Sequence, residues 1–256
     1  MRERFGVTLS RTSVIIPALN EEDTVARVVT LALADNPLEV IVIDSESTDD
    51  TARRAREAGA RVVDWREAMP IHSTRPGKGE ALWRGVHVAR GDFVVFIDAD
   101  LIEPRPHIVR DLIQPFRNPG VHLVKAHYRR PLHSSPTGGG RVTELTAKPL
   151  LRALFPELAQ IRQPLSGEYA LRTSVARTCY FAAGYGVEIG LLIDVYLTFG
   201  VAAIAQVDLG VRRHRNRPLA ELAPMAEVVT RTVLDRVPGI STVARAQDRP
   251  PLATLS

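Results

Sequence analysis

The chain has 256 residues, of which 45% are hydrophobic and 24% charged, a composition that excludes a disordered chain and leaves room for one large α/β domain with a sizeable core. A formal net charge of +4 with a pI of about 9.6 favours anionic partners, but only 5% of residues are aromatic and the arginines are scattered, which speaks against nucleic acid and for a small phosphorylated ligand. The single cysteine, Cys179, excludes an internal disulfide framework and fits a reducing compartment, while no signal-peptide core is present and the longest apolar stretch, 189–207, is broken by Asp194 and Gly200, so a cytoplasmic protein without a membrane span is expected.

In chain order, Ser13-Val14-Ile15-Ile16-Pro17 reads as a buried strand stopped by proline, and a helix is expected over 20–34 with acidic residues in its first turn. A strand over 39–44, a polar loop over 45–50, a helix over 51–58 closed by Gly59 and a short strand over 60–64 follow. This β-α-β-α-β alternation with short connections calls for an α/β fold with an open, mostly parallel sheet and right-handed crossovers. Ligands of such sheets bind beyond the carboxyl ends of the strands. That rule gathers Pro17 to Glu21, Asp44 to Ser47 and Asp98 to Asp100 on one edge.

A helix over 79–89 precedes the apolar run Phe93-Val94-Val95-Phe96-Ile97, which ends on Asp98-Ala99-Asp100. Beyond it the pattern predicts a helix over 106–116, a strand over 121–128, a Ser/Pro/Gly loop over 134–140 and a helix over 141–154. An extended piece over 167–172, a helix over 187–199, a strand over 201–209, a basic cluster from Arg212 to Arg217 and an amphipathic helix over 219–237 complete the reading, with a frayed Pro/Ala/Thr-rich tail over 238–256.

Several constellations carry chemistry. Two hard oxygen ligands at a strand end, Asp98 and Asp100, suit Mg2+ or Mn2+ holding a diphosphate, although a D-x-D by itself also serves an ordinary turn. Arg75-Pro76-Gly77-Lys78-Gly79 is no Walker loop, because Gly79 stands where Ser or Thr is needed. Lys78 is either a solvated loop lysine or a contact to base or phosphate. In Gly138-Gly139-Gly140-Arg141-Val142-Thr143 the glycines let backbone approach an anion, and the helix start adds N–H donors, an Arg fork and a hydroxyl. His214 is a surface histidine or a further ligand to a metal held by Asp100; Arg212 is a phosphate clamp or part of a solvated face. Glu188, at a helix start, compensates a dipole or contacts a hydroxyl.

Pro17-Ala18-Leu19-Asn20-Glu21-Glu22, Asp44-Ser45-Glu46-Ser47, Arg75-Pro76-Gly77-Lys78-Gly79-Glu80 and Asp98-Ala99-Asp100, in this order, resemble the nucleotide-sugar half of a GT-A glycosyltransferase. Tyr128-Arg129-Arg130-Pro131-Leu132, the triple-glycine segment, Gln163-Pro164-Leu165-Ser166-Gly167-Glu168-Tyr169, Gly184-Tyr185-Gly186-Val187-Glu188 and His214-Arg215-Asn216-Arg217 sharpen this to a resemblance to the glucosyl-3-phosphoglycerate synthase family. The resemblance implies a GT-A fold, with a Rossmann-like, mostly parallel central sheet flanked by helices. It implies a nucleotide-sugar half over 1–128, an acceptor half over 129–237 and a homodimer.

Carried over residue by residue, Pro17, Ala18, Leu19 and Glu21 hold uracil and ribose, Ser45 and Lys78 complete the nucleotide pocket, and Asp98 with Ala99 borders ribose or sugar. Asp100 and His214 bind the divalent metal, Mg2+ or Mn2+. Gly140, Arg141 and Thr143 take the acceptor phosphate, Asn216 helps hold the acceptor, Glu188 touches the glucose and Arg212 the anionic groups. Asp100, Glu188, Lys78 and Arg141 are the residues expected to carry the reaction. That reaction is transfer of glucose from UDP-glucose to the 2-hydroxyl of 3-phosphoglycerate or a close analogue, with retention of configuration and no protein nucleophile. The sequence departs from the family's pattern at Glu46, where glycine is usual, and so places a negative charge near the expected diphosphate pocket. The alternatives are a GDP-mannose- or GDP-glucose-dependent enzyme on the same acceptor, a related specialised-metabolite transferase, a nucleotidyltransferase, a polyprenyl-phosphate sugar transferase and a non-catalytic nucleotide-sugar-binding protein.

Overall fold

Unbroken apolar runs form strands that are buried on both faces. β1 (Thr12–Ala18), β2 (Glu39–Asp44), β3 (Arg61–Asp64) and β4 (Phe93–Phe96) lie parallel in the order β3-β2-β1-β4. They are connected by α1 (Val25–Leu33), α2 (Thr51–Glu57) and, between β3 and β4, the one-turn α3 (Trp65–Ala68) and the longer α4 (Lys78–Val88). This architecture is that of a computed structural model, which describes residues 9–103, 105–129, 131–132, 135–138, 140–212, 219–240 and 248–255.

The second half adds α5 (Ile108–Ile113), β5 (Leu123–Arg129), the hairpin β6 (Pro131–Leu132) and β7 (Ser135–Gly138), and α6 (Lys148–Leu154), which continues a wide π turn over Thr143–Ala147. β8 (Tyr169–Arg172), α7 (Thr173–Ala176), α8 (Val187–Phe199), β9 (Ile204–Val211) and α9 (Leu219–Leu234) follow. The seven-stranded sheet runs β3-β2-β1-β4-β8-β5-β9; β8 is antiparallel to both its neighbours and β9 is parallel to β5. The mostly parallel α/β sheet flanked by helices is therefore present, with one reversed strand inserted between β4 and β5.

Alternation along the strands sorts side chains between two cores. Ile15, Ile41, Ile43, Val94, Phe96 and Tyr169 pack with α4 and α8 on one face, and Val14, Ile16, Val40, Val42, Val95 and Val124 pack with α1 and α5 on the other. Cys179 is buried and its thiol is pushed up to about 12 by that burial. No helix among the described residues is long and apolar enough to cross a membrane.

Three expectations change. The first helix starts at Val25, not at Asn20, because Asn20 takes a left-handed φ of 55° and turns the chain at the strand end. The 134–140 segment is partly a hairpin strand, pairing Pro131 with Gly138. The tail is not frayed throughout: residues 248–255 dock on α4. Arg249, only 6% exposed, pairs with Glu80 at 2.5 Å, and Trp83 Nε1 donates to the Pro250 carbonyl at 2.9 Å. Arg236 joins Asp248 to Asp194. A buried Glu80 needs its cations, and Arg249 shares that role with Arg84; a tail's overall composition hides one such residue.

Candidate active site

Strand register builds the site. Ala18, Asp44 and Asp64 lie level across β1, β2 and β3, and Phe96 lies level with Ile15, so the chain leaving β4 carries Asp98 and Asp100 to the edge where β1 and β2 end. The loops there are stitched together: Asn20 N–H donates to Ser47 Oγ, Thr48 N–H to Asn20 Oδ1 and Glu21 N–H to Thr51 Oγ1, at 3.0, 2.8 and 2.7 Å. Ser45 N–H donates to the Ala18 carbonyl at 2.9 Å. Asp44, at the end of β2, keeps a buried carboxylate oxygen without a hydrogen-bond partner among the described residues.

Lys78 opens α4 and reaches two carboxylates, Asp98 and Glu188, the latter at 2.6 Å. Its flanking glycines are explained by packing. A Cβ on Gly79 lies 2.0 Å from the Ala182 carbonyl oxygen, and one on Gly77, whose φ is +117°, lies 2.9 Å from Gly184. Only glycine lets α4 start this close to the loop that precedes α8. Gly167 serves the same purpose beneath the aspartates, where a Cβ meets the Asp98 carboxylate at 2.1 Å.

The cluster is a lattice of alternating charge. Arg212, just beyond β9, places Nη2 at 3.1 Å from Asp98 and 3.2 Å from Asp100, and Nη1 at 2.7 Å from Glu168 and 2.9 Å from the Tyr128 hydroxyl. Burial alone raises the Asp98 carboxyl, but Lys78 and Arg212 outweigh it and hold that group far below the usual carboxylate range. Burial also opposes the charge of Lys78, which Asp98 and Glu188 restore and raise well above an ordinary lysine. Behind them Lys125 is fully buried, donates to the Ser166 carbonyl at 2.8 Å and lies 4.3 Å from the Tyr169 ring centre. Desolvation drops it to about 7, with Glu188 pulling the other way.

Lys78, Asp98, Asp100, Glu188 and Arg212 line a cleft of about 530 Å³ that also takes in Gly140, Arg141 and Thr143. The structure thus brings together Glu21, Lys78, Asp98, Asp100, Gly140, Arg141, Thr143, Glu188 and Arg212 of the residues expected from sequence. Pro17, Ala18, Leu19 and Ser45 lie on the adjoining strand-end edge; the Ala18 side chain is buried and Leu19 is 55% exposed. Ala99 is buried in the core beneath the pair and acts as a spacer between the aspartates. His214 and Asn216 lie outside the described residues. Glu46 does not face the cleft as a free charge: its φ is 68° and its carboxylate accepts from Trp65 Nε1 at 3.1 Å and pairs with Arg66 at 2.5 Å.

Sequence reasoning gave no role to Glu168 and Tyr128, which hold Arg212, or to Leu165 and the α9 residues Leu222, Met225 and Val229, which line the cleft. The apolar spacing of α9 was the available signal. Its apolar side closes the cleft and the core, where Val229 and Val233 are 1% and 0% exposed, and so is already covered within the chain.

Asp100 fits a divalent cation: its carboxylate is 48% exposed and a guanidinium already stands beside it as the cation. Among the described residues no group of three or more His, Cys, Asp or Glu side chains is placed to hold a metal ion. The model of glycosyl transferase family 2 matches residues 13–160. The glucosyl-3-phosphoglycerate synthase of Mycolicibacterium paratuberculosis is 55% identical over 235 residues, 88% of this chain and 71% of that protein.

The chain belongs to the glucosyl-3-phosphoglycerate synthase family.

Solved structures of this family agree in shape as well as sequence. The Mycobacterium tuberculosis glucosyl-3-phosphoglycerate synthase in complex with Mn2+, UDP-glucose and phosphoglyceric acid superposes with a TM-score of 0.88 at 46% identity, over 99% of this chain and 96% of that one. The same enzyme with Mn2+, UDP and glucosyl-3-phosphoglycerate gives 0.88 at 45% identity, over 99% and 97%. The expected GT-A architecture and the expected family both hold.

Proposed function

We propose that this protein is a metal-dependent glycosyltransferase that moves glucose from UDP-glucose to the 2-hydroxyl of 3-phosphoglycerate, with retention at the anomeric carbon. The observation that carries the reading is the convergence, in one cleft, of the strand-end aspartates with Lys78 and Arg212 on one side and Gly140, Arg141 and Thr143 on the other. One side is built for a diphosphate and the other for a second phosphorylated molecule. The complexes of the Mycobacterium tuberculosis relative support the same pair of ligands.

Asp100, with His214, would hold Mg2+ or Mn2+, which supplies neutralisation of the charge that builds on the departing UDP. The chain's own residues do the rest. Asp44 and the stitched loops at the ends of β1 and β2 offer polar groups to the base and ribose. Glu188, fixed by Lys78, presents its carboxylate to glucose hydroxyls. Lys78 and Arg212 keep fixed positive charge beside the diphosphate, and fixed charge in a partly buried cleft costs no reorganisation during the reaction. Arg141 and Thr143 orient the acceptor by its phosphate, bringing the hydroxyl to the same face that the diphosphate leaves.

A matrix of UDP- and GDP-sugars against phosphorylated three-carbon acids, read by nucleotide release, tests this. UDP release with UDP-glucose and 3-phosphoglycerate is expected; release only from GDP-sugars, or none with any acceptor, contradicts it. The reading extends to a cytoplasmic homodimer, supported by the family and by the apolar Leu197 and Phe199 exposed near the end of α8, at 51% and 41%; light scattering on the purified protein checks the mass.

A further inference from the structure

Arg212 grips both aspartates, yet the two are not equivalent. Asp98 is also held by Lys78 and keeps a cation whatever Arg212 does. For Asp100 the paired cation among the described residues is Arg212, at 3.2 Å, and the Asp100 carboxylate is 48% exposed where that of Asp98 is 21% exposed. The residue that fits a divalent metal is thus already engaged by a guanidinium. The other edge of that guanidinium is anchored independently: Nη1 pairs with Glu168, whose side chain is 2% exposed, and donates to the Tyr128 hydroxyl at 2.9 Å, while the cation lies 5.4 Å from the Tyr128 ring centre. A planar fork held along one edge can trade the partner on its other edge without leaving its place.

We infer that Arg212 is the resident counter-cation of Asp100 before ligands arrive, and that loading proceeds by exchange: Asp100 passes from Arg212 to the divalent metal while Arg212 passes from Asp100 to the diphosphate. This rests on the UDP-glucose reading above and adds to it a source of cooperativity. A metal arriving alone must break the Arg212–Asp100 pair and leaves the guanidinium facing Asp98 and Glu168 only. A metal arriving with a diphosphate returns an anion to that guanidinium. The two ligands therefore reinforce each other beyond their direct contact, and the reinforcement is reciprocal.

The test is the Mn2+ dissociation constant, read from the electron paramagnetic resonance of the free ion, without UDP and with saturating UDP after correction for Mn2+–UDP in solution. The ratio of the two values measures the coupling. In Arg212→Gln, Mn2+ alone is expected to bind about fivefold tighter and the ratio to shrink by about the same factor, as follows from releasing a partly exposed ion pair that competes with the metal. A purely electrostatic influence of Arg212 shifts each affinity but leaves the ratio unchanged. Because Arg212→Gln strands the buried Glu168, the double variant Arg212→Gln/Glu168→Gln, in which both charges are removed, is measured alongside it and is expected to give the same lowered ratio. An unchanged ratio in the folded variants overturns the exchange while the functional reading stands. Wild-type protein that binds neither Mn2+ nor UDP overturns both.

Discussion

The four parallel strands β3-β2-β1-β4 and the three strands β8-β5-β9 share one sheet but are assembled differently. In the first group β1, β2 and β3 follow one another through short crossovers and β4 returns to pair with β1, so all four run parallel and the strand ends arrive level at the site's edge. In the second group β8 is inserted antiparallel between β4 and β5, and β9 pairs with a strand some eighty residues earlier in the chain. The first group supplies Asp98, Asp100 and Lys78; the second supplies Glu168 and Arg212, and the helix start at Arg141 stands opposite. Parallel strand ends build the donor side, whereas the reversed β8 and the adjoining β9 bring up the charges that complete it.

Breaking the link between the two groups has the largest expected effect. Lys78→Ala removes the cation shared by Asp98 from the first and Glu188 from the second, leaving two partly buried carboxylates without it. Turnover is expected to fall by about 10²–10³-fold, with a loss of about 3–5 kcal/mol in stability; steady-state kinetics and urea unfolding read the two. Gly79→Ala tests the packing under that lysine. With the Ala182 carbonyl 2.0 Å from the new Cβ, α4 must shift, and an overpacking cost of about 1–3 kcal/mol should accompany a loss of activity even though Lys78 is intact.

The acceptor side should separate cleanly from the donor side. Arg141→Met is expected to raise the KM for 3-phosphoglycerate by about 10–100-fold, the scale of a charge-assisted hydrogen bond, while the affinity for UDP measured by calorimetry stays as it was. A matching loss of UDP affinity contradicts a division of the cleft into two anion sites.

Legibility follows the same division. Alternating apolar runs and short loops made β1 to β4 readable from the sequence, with the β2 and α8 boundaries, Glu39–Asp44 and Val187–Phe199, matching the expected spans, because each element is determined by residues close to it. The role of Glu168 was not readable, since a carboxylate next to Gly167 and Tyr169 acquires its partner only when β9 brings Arg212 alongside. Lys78 drew attention as a possible contact to base or phosphate, whereas the need for the glycines on either side of it, Gly77 and Gly79, is steric and lies in contacts with distant residues. The docking of Arg249 on Glu80 spans 169 positions of sequence, a separation at which local pattern carries no information.

A smaller, pH-dependent effect probes the interior of the second group. Lys125 titrates at about 7 when folded, below an ordinary lysine at about 10.4, so between these values the unfolded chain binds a proton that the native state does not. Its contribution to stability therefore rises as pH increases through that window and is at its least favourable below pH of about 7. Lys125→Met removes this dependence: the difference in urea midpoint between wild type and variant should move in favour of wild type from pH of about 7 to about 9. A difference that stays constant over the same interval indicates that Lys125 keeps its proton inside the fold.

The central claim is that one cleft holds a metal-bound diphosphate and a second phosphorylated molecule side by side. A crystal structure of this protein with Mn2+, UDP and 3-phosphoglycerate tests it most directly. The account predicts the cation on Asp100, the diphosphate between Lys78 and Arg212, and the acceptor phosphate at Gly140, Arg141 and Thr143. A cation bound away from Asp100, or an acceptor bound outside this cleft, contradicts it.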